Sequence, residues 1–592
     1  MNVRVGVLAL LLFAPLGCLQ PEARLQSGED PDREKDLALK TVGDVTTVGN
    51  AEPIAVSGVG LVVGLDGTGG GTPPGGYRTL LEDRLVKSGV HNPKEVLASP
   101  NNALVLVSGL IPAGARKGDP IDVEVTLPPQ SKVTSLRGGV LKECSLYNYS
   151  STHQINPADT RGDRPLIGHP IAKAEGPLLI GFGEGDETAK LKHGRIWGGG
   201  KSQIDRPFYL ILNNDQQYVR VAMRVAERIN ETFQGTFHAP SNSLAEAKTK
   251  EVVFLRVPDQ YRLNLPRFLR VVRLVPLQES PAVASPYCKR LGEDLLDPAH
   301  TVTAALRLEA LGQDMVPVLK TARNNPHVLV RFSAAEALTY LGDPSGGEEL
   351  ATLADEQASL RAYCLTALAS LDEAVCHVKL RDLLASRSTE ARYGAFRALR
   401  ALDEKDSNAR GELLNDSFWL HEVAPGSTSL IHVSTTRRAE VVLFGDDVTL
   451  KPPFSFLAGQ EFTVAASQDD ERCTLGRFST SHGRMRRQSD LKVSSVLRLL
   501  ADMGGTYADA VELLRQANQI KCLSCPLAID ALPEATSVFD LAQAGATGPK
   551  TPGNDAEIFN ARADFNETPT LFQSTGRRRA TAAAPTEPDG GN

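Results

Sequence analysis

The stretch VSGVGLVVGLDGTGGG, residues 56–71, lays glycines along an apolar strand. Val56, Val59, Leu61, Val62, Val63 and Leu65 favour burial in a sheet, whereas interior glycines weaken a strand unless another backbone must come close. Asp66-Gly67 then supplies a turn. A dinucleotide cradle needs G-x-G-x-x-G opening a helix, because the pyrophosphate sits on free amides at the helix N-terminus. Here Gly58, Gly60 and Gly64 make G-x-G-x-x-x-G, and the prolines and glycines of the continuation LDGTGGGTPPGG cannot start a helix where the phosphate would need it. The glycines therefore read as packing sites, with no cofactor-binding role.

Outward from this strand, residues 39–278 alternate strand and helix signals. In DPIDVEVTLPP, Ile121, Val123, Val125 and Leu127 alternate with Asp122, Glu124 and Thr126, the period of a half-buried strand. NALVLVSGLIP (102–112), RPFYLILNN (206–214) and KEVVFLRVP read as further strands. Val219, Ala222, Met223, Ala226, Ile229 and Phe233 fall at helical spacing and predict one apolar stripe. The region reads as α+β.

Pro281 and Pro286 break the pattern, so 279–299 reads as a linker. A repeat follows over 300–408. HVLVRFSAAEALTYLGDP (327–344), QASLRAYCLTALASLDEA (357–374) and STEARYGAFRALRALDEK (388–405) bring Arg331, Arg361 and Arg392 into register, along with Leu341, Leu371 and Leu402. Helix pairs of this kind cannot bury their apolar faces alone and stack into a solenoid; the pattern resembles short HEAT-like repeats. Residues 425–545 read as a small α+β module. Residues 546–592, rich in Gly, Pro, Ala and Thr and carrying a basic GRRRA at 576–580, read as a disordered tail. The expectation is a multidomain chain, in keeping with 592 residues and a soft expectation of about three to five domains.

The N-terminal residues 1–18, MNVRVGVLALLLFAPLGC, carry Arg4 and an apolar run from Val5 to Phe13, the pattern of a secretory signal peptide. APLGC also has the form of a bacterial lipoprotein cleavage box, which leaves two expectations open: plain cleavage, or lipidation at Cys18 with outer-membrane anchoring. Residues 19–38 are polar and read as a flexible tether.

A net charge of -7 and a pI near 6.0 give no footprint for nucleic-acid binding. GRIWGGGKS (194–202) fails as a P-loop because Arg195 stands where its first glycine belongs; it reads as a Gly-rich hairpin or linker. Cys522 and Cys525, in CLSC, read as a structural disulfide or a pair of free thiols, because no thioredoxin-like pattern surrounds them. The histidines show no metal-ligand spacing. No catalytic, cofactor or metal site is expected.

LKTVGDVTTVGNAEPIAVSGVGLVVGLDGTGG (39–70) resembles the opening of the bacterial flagellar P-ring protein family, matching its G-x-GLVVGLDGTG string at Gly58, Gly60, Gly64, Asp66, Gly67 and Gly69. The resemblance continues through LEDRLVKSGV (81–90), NNALVLVSGLIPAGARKGDPIDVEV (101–125) and SLRGGVL (135–141), and more loosely to about residue 275. It implies an exported, non-catalytic protein that assembles into a homo-oligomeric ring around the flagellar rod at the peptidoglycan layer of the periplasm. The family's C-terminal ring-building portion has no counterpart here; the repeats and the module stand in its place. The expected function is a structural subunit of the basal body, forming or decorating the P ring in motility. The alternative is an envelope scaffold that binds an unknown protein partner through the HEAT-like repeats.

Overall fold

Val56, Val62, Val105, Val107, Val123 and Val125 line a common interior because six strands close on themselves. The computed structural model describes residues 39–71, 75–151, 165–181, 187–233, 243–279, 281–423, 427–435, 438–459, 461–479, 483–545 and 568–573. After β1 (Thr46–Gly49) the chain runs through β2 (Ile54–Val63), β3 (Asn102–Ile111), β4 (Pro120–Thr126) and β5 (Val140–Leu146). A two-stranded pair, β6 (Tyr149–Ser151) and β7 (Pro165–Ile167), precedes β8 (Ala172–Pro177), β9 (Leu179–Ile180) and β10 (His193–Ser202). The order β4-β3-β2-β5-β8-β10 is closed by antiparallel pairing of β10 back onto β4, which makes a barrel. Closure removes the open edges that a six-stranded sheet would otherwise expose.

β10 holds the GRIWGGGKS segment, so that segment is a closing strand of the barrel and the hairpin-or-linker reading is corrected. Its glycines hid it: Gly194 and Gly200 leave room for Ile180 and Ile121, where a side chain would collide.

β1 lies outside the barrel. It pairs with β11 (Phe208–Leu212), which pairs with β13 (Val252–Leu255), and β12 (Ala245–Ala247) completes an antiparallel sheet. The barrel is thus inserted between two neighbouring strands of a second layer. Helix Val219–Phe233 contributes Ala222, Val225, Ala226, Ile229 and Phe233 to the core beside this sheet, and helix Leu265–Leu274 adds Phe268, Val271 and Val272. Val219 and Met223, expected on the buried stripe, are exposed, and Val225 takes a core position instead.

Residues 279–299, read as a linker, contain helix Pro286–Leu296, which buries Cys288, Leu291 and Leu295. Pro286 starts that helix at a position where a missing N–H costs little. Helix Thr301–Leu311 packs on Val328–Tyr340, that helix on Arg361–Ser370, and that one on Thr389–Leu402; helices Gly347–Glu356 and Ala374–Leu383 form a second row. Alanines at 334, 335, 337, 362, 367, 395 and 398 are all fully or almost fully buried. Small side chains at these contacts let neighbouring helices approach closely.

The C-terminal β region starts at Glu412, ahead of the expected boundary at 425. β14 (Glu412–Leu414), β15 (Phe418–Val423), β16 (Leu430–Ser434) and β17 (Glu440–Phe444) lead into an antiparallel meander, β18 (Phe454–Ala458), β19 (Phe462–Ala466), β20 (Arg472–Ser479) and β21 (Gly483–Asp490). After helices Val493–Asp502 and Tyr507–Gln519, β22 (Leu527–Ile529) pairs with β16, giving the order β14-β15-β17-β16-β22. Within the tail read as disordered, 568–573 is packed: Leu571 and Phe572 are buried. Residues 1–38, with Cys18, and the basic run 577–579 lie outside the described residues.

Candidate functional site

Gly58 and Gly60 share the interior face of β2 with Val56 and Val62, as the two-residue period requires. A Cβ on Gly58 would stand 2.5 Å from the Ser145 carbonyl oxygen, and one on Gly60 would stand 2.7 Å from Leu141 Cδ1. β5 bulges here, with its pairing to β8 shifting between Leu141 and Cys144. The gap is filled by donors to the Val59 carbonyl: Arg84 Nη1 at 3.2 Å and Cys144 Sγ at 3.4 Å. Burial pushes the Cys144 thiol up to about 11, so it stays protonated and able to donate.

On the other face of β2, Val59 and Leu61 pack under Leu81 and Leu97, from helices Gly76–Lys87 and Pro93–Ala98. Beyond the strand, Gly64 has φ +81°. The Gly67 amide donates to Asn101 Oδ1 at 3.1 Å, and Gly69 sits against the backbone of Pro100 and Asn102. Asp66 is exposed in the same turn. This constellation seals a barrel corner and presents no row of free amides on a helix.

The three arginines that the sequence aligns lie in helices Val328–Tyr340, Arg361–Ser370 and Thr389–Leu402. Arg331 Nη1 donates to the carbonyls of Asn325 and Pro326, both at 3.0 Å, and Nε reaches Glu349 at 2.6 Å. Arg361 donates to the carbonyls of Ala354 (2.8 Å) and Asp355 (3.0 Å), in the last turn of the preceding helix. Both satisfy carbonyls that a chain turn leaves without intrahelical partners. Arg392 differs: it donates to the Thr428 carbonyl at 2.7 Å and lies over the Phe444 ring, which ties the helices to the C-terminal β region.

Two buried polar clusters escaped the sequence reading. Arg267, on helix Leu265–Leu274, is held by Glu309 Oε2 and by Glu336 Oε2, each at 2.5 Å. Tyr261 donates to Glu309 at 2.6 Å, and the Arg267 guanidinium lies over Tyr340. Burial raises both glutamates despite the opposing arginine, whereas Arg267 is raised because the two carboxylates outweigh its own burial. The second cluster centres on Glu440, which accepts from Tyr393 at 2.6 Å and Arg400 at 2.9 Å. Tyr393 stacks on His432, whose Nε2 accepts the Ala531 amide at 3.1 Å. A lone acid in each alanine- and leucine-rich segment, LRLEALG and SAAEALTYL, was the available signal for the first cluster.

Arg137, from SLRGGVL, pairs with buried Asp509, whose other oxygen caps helix Tyr507–Gln519 through Thr506. Cys522 and Cys525 are buried free thiols, and burial pushes Cys522 up to about 11. Among the described residues no group of three His, Cys, Asp or Glu side chains is arranged to hold a metal ion. The buried arginine, acid and tyrosine side chains described above are engaged in holding segments of the fold to one another.

Residues 41–284 match the family described as flagellar P-ring protein. The flagellar P-ring protein of Oleidesulfovibrio alaskensis is 29% identical over 254 residues, covering 41% of this chain and 62% of that protein. That of Thermotoga petrophila is 30% identical over 249 residues, covering 40% and 66%. That of Sodalis glossinidius is 32% identical over 214 residues, covering 33% and 53%. The chain therefore spans 62% and 66% of the length of the first two relatives. The likeness carried by the glycine strand extends over the barrel, the second-layer sheet and helix Leu265–Leu274.

Proposed function

We propose that this chain is a structural subunit of the bacterial flagellar basal body, forming or decorating the periplasmic P ring around the rod. The observation that carries the reading is the match of residues 41–284 to flagellar P-ring proteins, with Gly58 and Gly60 packed inside the barrel at its centre. A passive bushing needs stiffness and close packing in place of a reaction centre. The buried Arg267 and Glu440 clusters are consistent with such a body and with a protein that is not an enzyme. Export to the periplasm, assembly as a homo-oligomeric ring and contact with rod and peptidoglycan follow from the same reading.

The helices from Thr301 to Leu402 are read as a HEAT-like array added to the ring subunit. It stands between the P-ring-like segment and the C-terminal β region, with Arg267 and Arg392 as its ties. In this reading the array buttresses the subunit in place of the family's own C-terminal portion.

Electron microscopy of basal bodies from the native host, with this protein gold-labelled, tests the proposal. Label on a ring around the rod is expected. Label elsewhere in the envelope, or a clean deletion that leaves swimming and basal-body rings intact, would overturn it.

A further inference from the structure

The last strand of the meander, β21, reads GRMRRQSD and is exposed along nearly its whole length. It ends the sheet order β18-β19-β20-β21, and among the described residues it pairs only with β20. An edge of this kind presents unpaired backbone N–H and C=O groups, the template for adding a strand. Arg484, Arg486 and Arg487 crowd the part of β21 that pairs with Leu475–Phe478, the first two on one face and Arg487 on the other, and among the described residues none of them has an ion-pair partner. Asp490 and the acids of the turn at 469–471 lie at the far end, where Arg472 pairs across from Asp490, and Glu461, at the arginine end, is held by Arg477. The outer face beside the arginines carries exposed Phe478, under Arg484, and exposed Leu457.

The charge pattern selects the occupant. Antiparallel pairing of β21 with a second copy, centred on Arg486 or on Arg487 at the middle of the strand, would set that arginine opposite its own counterpart, and like charges directly opposed destabilise a pair. The arginines that reject a copy attract an acidic strand. We propose that β21 is a docking edge for an extended acidic peptide segment of a partner protein, which adds as a fifth strand and sets alternate carboxylates against Arg484 and Arg486, with Arg487 adding positive charge on the other face. The proposal stands apart from the ring assignment, since it uses residues outside the P-ring-like segment.

The test uses the full chain and a fluorescein-labelled ten-residue peptide of alternating threonine and glutamate. Anisotropy titration at low salt is expected to show saturable binding that R484E/R486E/R487E weakens by about tenfold or more, as loss of close interfacial charge pairs does. R484K/R486K/R487K is expected to retain most of the affinity. Hydrogen exchange of residues 483–490 in the wild-type chain is expected to slow when peptide is bound, a readout that surface charge alone would not move. Absence of binding, binding indifferent to charge reversal, or binding without protection of 483–490 would each overturn the proposal. Circular dichroism of both variants establishes that they remain folded.

Discussion

Arg267 Nη1 and Glu336 Oε2 lie 2.5 Å apart, with Arg267 inside the segment that matches flagellar P-ring proteins and Glu336 in a helix outside it. Both side chains are almost wholly buried, so neither charge can be left alone cheaply. Arg267→Met strands two carboxylates and is expected to cost about 3–5 kcal/mol. Glu336→Gln leaves the Arg267–Glu309 pair intact and is expected to cost about 1 kcal/mol. Chemical denaturation of both variants checks this; equal losses would show that the arginine does not anchor the two parts.

Gly58→Ala drives a methyl group to 2.5 Å from the Ser145 carbonyl, a clash that β5 can relieve only by moving away from β2. A loss of about 1–3 kcal/mol is expected, the scale of overpacking a tight core. Gly76→Ala is the control, since nothing lies within 4 Å of its Cβ position and it begins a helix. It is expected to change stability by about 0.5 kcal/mol or less. Thermal melts of the two variants should separate clearly.

The legible parts of the fold were those whose signal is local. Alternation in Pro120–Thr126 gives its buried Ile121, Val123 and Val125 directly. Arg331 and Arg361, aligned in the sequence, each donate to backbone carbonyls five to seven residues earlier in the chain, a local task. Barrel closure was hidden because it depends on β10 meeting β4 about seventy residues away, through a strand whose glycines disguise it. The ties through Arg267 and Glu440 were hidden for the same reason: nothing local in PRFLRVVRL or RRAEVVLF marks which charge is buried, and only the fold brings the partners together.

His432 is buried, stacked on Tyr393, and its burial lowers its pKa to about 4 from an ordinary 6.5. The folded state therefore holds it neutral, and between pH 6.5 and about 4 the unfolded chain binds the extra proton. Stability from this group is present above pH 6.5, falls as pH drops through that window, and is fully lost below about 4. Its span is on the order of 3 kcal/mol. His432→Phe should flatten the pH dependence of the unfolding midpoint between pH 6.5 and 4; an unchanged slope would assign that dependence to other groups.

Residues 568–573 strap two parts of the fold together. The Leu571 amide donates to the Leu263 carbonyl at 3.1 Å, the Leu571 carbonyl accepts from Arg397 Nη2 at 2.8 Å, and Arg397 lies over the Phe572 ring. Leu263 precedes helix Leu265–Leu274 and Arg397 belongs to helix Thr389–Leu402, so the strap bridges the P-ring-like segment and that later helix. Composition could not reveal this, because six residues of TPTLFQ carry too little apolar surface to stand out from a polar tail. Phe572→Ala is expected to cost about 3 kcal/mol, the lower end for emptying a buried phenylalanine site. A chain ending at Glu567 should lose at least as much and become more sensitive to protease near Leu263. If both variants melt with the full chain, the strap rests on the surface without contributing to the join.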